Sequence, residues 1–189
     1  MKTMKTNQRH ASTFLALLML VAAVLACSGG METEKANKIG DEGNAAVAEA
    51  KKFYSDAEAK KDSMLQSKVT QSGLAEARTL AKEAIASYDK AEEKCKEAAK
   101  KYDEASKLKI SDRFKEYLGI KVREYNKRAE LCEAAKGTPQ ALIDSESRSS
   151  FISRANVNNG KVSQLLKDAD EIAGQAKKLE ADNPDMFKK

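Results

Sequence analysis

Histidine is almost missing from this chain: His10 is the only one in 189 residues. It lies in an N-terminal stretch expected to be removed, so Ser-His-Asp and Cys-His catalysis and the commonest zinc ligand are excluded from the rest. Trp is absent, Pro occurs twice, and aromatic residues make up 5% of the chain. A β-sandwich needs frequent β-branched and aromatic residues with closely spaced turns, so that class is excluded too. There is no Cys-x-x-Cys pair, no Gly-rich phosphate loop and no EF-hand spacing. No strong field of one sign is present either. The formal charge is +5, and taking away the three cations Lys2, Lys5 and Arg9 of the removable stretch leaves +2. So weak a charge, with no aromatic-and-basic platform, gives no footing for nucleic acid as a partner.

What is present is Ala, Glu and Lys in quantity, with 33% charged residues, a mixture suited to long helices. The N-terminus is a separate text. Residues 1–10 are polar and basic, residues 11–26 read ASTFLALLMLVAAVLA, and Cys27, Ser28, Gly29 and Gly30 follow. A basic start, a short apolar run and small residues at its end describe a secretory signal. The run of 16 residues is short for a transmembrane helix, which needs about 20.

Val24-Leu25-Ala26-Cys27 resembles the lipobox of bacterial lipoproteins. The resemblance covers only the signal segment. It implies a diacylglyceryl group on the Cys27 thiol, cleavage between Ala26 and Cys27, and acylation of the new amino terminus. The class prefers Leu three residues before the cysteine and a small residue two before it, where this chain has Val24 and Leu25. Ser28 after the cysteine, in place of the Asp that marks inner-membrane retention in enteric-type bacteria, implies an outer-membrane anchor facing the periplasm. One acyl chain binds a bilayer only marginally, whereas two or three, at about 0.8 kcal/mol per buried CH₂, hold firmly.

Residues 27–43 read as lipidated cysteine and tether, with helix allowed from Glu34 on, since Gly29, Gly30, Gly40 and Gly43 fall there and each glycine costs a helix about 1 kcal/mol against Ala. The helical domain, residues 44–189, then divides into helices over about 44–66, 74–109, 113–136 and 150–181. Ala46, Ala50, Phe53, Ala57 and Met64 share one face of the first. In the second, Leu74, Ala77, Ala81, Ala84, Tyr88, Ala91, Cys95, Ala98, Tyr102 and Ala105 alternate by three and four, a heptad seam with Ala at every turn. Ser111 or Asp112 suits the N-cap of the third, whose seam is Leu118, Val122, Tyr125, Ala129 and Cys132. Gly137 suits a C′ position, and Thr138-Pro139 opens a new turn of helix. The last helix carries Val162, Leu165, Ala169, Ile172, Ala176 and Leu179, with its start at Ser150 or at Gly160. The fold expected is all-α, an antiparallel bundle or coiled-coil hairpins of three to four long helices.

Folding the second helix onto the third sets Cys95 against Cys132, Ala98 against Ala129, Tyr102 against Tyr125 and Ala105 against Val122. Seam meets seam throughout. In an exported chain Cys95 and Cys132 are then either a disulfide or two buried thiols.

No catalysis, metal or cofactor is expected. The carboxylates alternate with lysines as on solvated helix faces, which outweighs a glycosidase pair. A structural or protein-interaction role in the cell envelope fits best, with the bilayer bound through Cys27 and an envelope protein or a second copy as partner. Two alternatives stand beside it. One is a periplasmic carrier of a small ligand or lipid, against which Ala-built seams leave little room. The other is attachment to peptidoglycan through Lys189, because the plan of lipid, helix and lysine loosely resembles the murein (Braun-type) lipoprotein.

Overall fold

The structure, a computed structural model, describes residues 30–67 and 71–184. Five helices account for nearly all of them: α1 Gly30–Gln66, α2 Gln71–Ser106, α3 Asp112–Ala135, α4 Gly137–Asp144 and α5 Arg148–Asp182. The all-α bundle expected from periodicity is therefore the fold. Successive long helices run antiparallel. Lys101 donates to Glu42 at 2.6 Å and Lys60 to Ser87 at 3.1 Å, which lays α2 back along α1. Tyr102 and Tyr125 meet with ring centroids 5.7 Å apart, which lays α3 back along α2 in the register expected. Arg123 reaches Gln175 and Arg128 reaches Asp170, so α5 returns along α3. At 1.5 Å per residue the 37 residues of α1 make a rod about 55 Å long. Among the described residues, no helix is long and apolar enough to cross a membrane.

The seam of α2 is buried from Ala77 to Ala105 as its spacing dictates, while Leu74 remains exposed. Residues 30–43, expected as tether with helix allowed only from Glu34, are the first turns of α1, so the helix begins earlier than expected. Thr33, Ala36, Gly40, Gly43, Val47, Ala50, Ala57 and Met64 are all buried, and the step of three and four runs on through the glycines. Gly43 is there for contact: a Cβ on it would stand 3.1 Å from Tyr102 Cε1 and 3.3 Å from Lys101 Cβ. The helix penalty of glycine is offset by this approach of α1 to α2 and by the Tyr102 hydroxyl donating to Asn44 at 2.6 Å.

α3 begins as expected, with Ser111 as N-cap and its Oγ accepting from the Phe114 N–H at 3.3 Å. Its end departs from expectation. Lys136 keeps right-handed geometry (φ −61°, ψ −24°), and Gly137 is the first residue of α4 rather than a left-handed cap. The break has another cause. Pro139 has no N–H, and its ring cannot sit beside the carbonyl four residues back, at Ala135, where α3 stops. α4 carries on in much the same direction, and α3 with α4 lies against α5 as one jointed rod. α5 starts at Arg148, capped by Ser147, and passes unbroken through Asn156, Asn158, Asn159 and Gly160. Two of those asparagines bond to α4: Asn158 donates to Thr138 Oγ1 at 3.0 Å, and Thr138 donates to Asn159 at 3.1 Å. Gly137 makes room for this, since a Cβ there would fall 2.3 Å from Asn158 Oδ1.

Candidate functional site

The bundle has two poles. One gathers the start of α1, the α2–α3 turn and the end of α5. The other gathers the α1–α2 and α4–α5 turns. Ala26, Cys27 and Lys189 lie outside the described residues; α1, which starts at the first pole, begins three residues after Cys27 in the sequence. Met31, in the first turn of α1, is 87% exposed there.

The second pole carries a groove of about 420 Å³. Met64 and Leu65 of α1, Leu74 of α2, Leu142 of α4, and Phe151 and Ile152 of α5 line it. Leu65 and Ile152 are about half exposed, and Val157, further along α5, is 76% exposed. Large apolar residues gathered in the open are unusual for a closed bundle. Arg78, Glu146 and Arg148 stand at the rim, and neither arginine makes an ion pair among the described residues. Ser145 Oγ is buried in the wall, with no hydrogen-bond partner among the described residues. None of these groove residues was singled out in the sequence as a site. Leu142 and the Phe151-Ile152 pair lie off every seam, beside a polar break, and that was the signal.

Cys95 and Cys132 are brought together. Both are buried, at 4% and 2% exposed, and both line one crevice. The neighbouring Cys95 thiol, together with burial, pushes the Cys132 thiol well above its ordinary range. The structure carries both as free thiols.

Beside them lies a buried charge cluster that the periodicity hid. Glu124, 1% exposed, accepts from Lys121 at 2.6 Å and from Arg128 Nε at 3.0 Å, and Arg128 also reaches Asp170 at 3.4 Å. The Lys121 ammonium sits 4.9 Å from the Tyr125 ring centroid. Lys51 of α1 borders the same cluster, and burial first, then Arg128 and Lys121, lowers its pKa. These charges resembled a solvated face because α3 has two buried faces. Tyr117, Ile120, Glu124 and Leu131 form the second, covered by α5. Both carboxylates of the cluster, Glu124 and Asp170, are ion-paired. Among the described residues no cluster of His, Cys, Asp and Glu could hold a metal ion.

Comparison with protein families, with curated proteins and with solved structures found no match to the chain.

Proposed function

We propose that this chain is a lipid-anchored envelope lipoprotein that holds a rigid helical rod on a bilayer and offers the groove at its far pole to a protein partner. The observation that carries this is the sequence Val24-Leu25-Ala26-Cys27 closing an apolar run three residues ahead of a helix. With so short a spacer, an acylated Cys27 ties the pole of Gly30 to the membrane and holds the groove about 55 Å along the rod from it. Ser28 favours the outer membrane, facing the periplasm. The partner proposed is a protein segment with an apolar face and acidic flanks. The apolar face fills the groove by the helix-in-groove mode, and the acidic flanks meet Arg78 and Arg148. No catalytic role is proposed.

A photo-crosslinker at Ile152 of the membrane-bound chain tests the partner site, with one at exposed Lys100 as control. A discrete protein adduct from position 152 alone, lost when Leu65 and Leu74 are changed to Ser, is expected. Equal adducts at both positions would overturn the assignment. A small amphiphile is the second reading, favoured by the partnerless Ser145 hydroxyl and by a volume within the span of about 300–1,000 Å³ for ligand pockets. Native mass spectrometry of the delipidated chain separates the two, since a ligand retained by wild type and lost on Ile152→Asp favours the amphiphile.

A further inference from the structure

We propose that Cys95 and Cys132 are joined by a disulfide in the mature protein, a cross-link that locks α2 to α3 at mid-rod. This inference rests on the export proposed above, because disulfides persist in oxidising compartments. The geometry is already that of a pair. The two cysteines are on antiparallel neighbours, in the same register as the Tyr102–Tyr125 contact. Both line one narrow crevice with Tyr54, Tyr125 and Arg128. Ala98 and Ala129, which form the next layer of the seam toward Tyr102 and Tyr125, are buried without bulk, which favours the close approach a disulfide requires, with Cα atoms within about 7 Å.

The oxidant is a disulfide R–S–S–R, of the kind carried by a thiol oxidoreductase. One cysteine thiolate attacks it and displaces RS⁻, forming a mixed disulfide. The second thiolate attacks the cysteine sulfur of that mixed disulfide and displaces the other RS⁻. Two electrons pass to the oxidant, and the two protons released when the cysteine thiolates form are taken up through solvent by the two departing RS⁻ groups, which leave as thiols. The order of events follows from burial. In the closed bundle both sulfurs are covered and the thiolate is scarce, so exchange runs on the exported chain before α3 docks on α2. The same burial then shields the finished bond from reductants.

The test is intact-mass analysis of the full chain from its membrane fraction, alkylated in denaturant with and without prior reduction. It reads the state of Cys27 and of the two thiols on one molecule. The expected result is an acylated chain in which Cys95 and Cys132 take up alkylating agent only after reduction. An acylated chain with both already alkylated would overturn the cross-link and leave the anchor standing. A chain still carrying residues 1–26 would remove the anchor instead. Refolding the purified protein in oxidised and reduced glutathione then decides the cross-link alone: a closed bond supports it, and two free thiols overturn it. Circular dichroism provides a second measure. Cys95→Ala with Cys132→Ala is expected to stay helical while losing about 10 °C in Tm relative to the oxidised chain, and no loss would contradict a cross-link that constrains the unfolded state.

Discussion

Glu124 is the residue with the most at stake electrostatically. Its carboxylate is out of water, and its interactions with Lys121 and Arg128 offset that burial only while all three are present. Glu124→Leu is therefore expected to cost about 3–5 kcal/mol in urea unfolding, because Lys121 is left buried without its anion and Arg128 keeps only Asp170. A loss under about 1 kcal/mol would mean that water reaches the cluster. Lys51 has the opposite sign. Burial first, then the neighbouring cations Arg128 and Lys121, lower its pKa, while Glu124 opposes them. Glu92 makes the pH dependence testable. Burial opposes its charge, but hydrogen bonds from Lys96 and Lys136 outweigh it and pull the carboxyl down to about 2. A lowered carboxylate pKa stabilises the fold above the ordinary range near 4.5 and loses that contribution as pH falls toward 2. The difference in urea midpoint between wild type and Glu92→Gln is thus expected to be constant from pH 7 to pH 5 and to vanish near pH 2.

At the scale of helices, glycines that look alike in sequence do different things. Gly137 is held by a neighbour, and Gly160 by nothing within 4 Å of where its Cβ would be. Gly160→Ala is expected to add about 0.5–1 kcal/mol, the usual gain for a mid-helix glycine with open space. Gly137→Ala is expected to lose about 1–3 kcal/mol, since the new methyl displaces Asn158 from Thr138. Urea unfolding of the two variants side by side checks both signs. The same contrast explains what was legible in the sequence. The α2 seam and its register with α3 could be read because heptads of Ala and Tyr carry their own spacing, and Tyr102 duly meets Tyr125. The first turns of α1 could not be read, because glycine scores against helix wherever it stands and only the ring of Tyr102 shows what Gly43 is for. The second buried face of α3 was hidden by charge, since Lys121, Glu124 and Arg128 at steps of three and four match a solvated stripe until α5 covers them. The groove was hidden for a simpler reason: its residues come from four helices and share no period.

For the whole molecule, the paired lengths of α1, α2 and α5 at 37, 36 and 35 residues make a rod with two unlike ends. One end begins beside Cys27, and the other holds the exposed Leu65 and Ile152. With lipid on Cys27, as proposed, the anchor at one end and the apolar groove at the other would give the rod a direction suited to an envelope role. Compartment and partner both depend on that anchor. It is tested most directly by the intact mass of the chain in the membrane fraction, comparing wild type with Cys27→Ala. The result expected is a wild-type chain that starts at Cys27 and carries two or three acyl groups, with the variant uncleaved or released from the membrane. A wild-type chain of unmodified mass that retains residues 1–26 would contradict it.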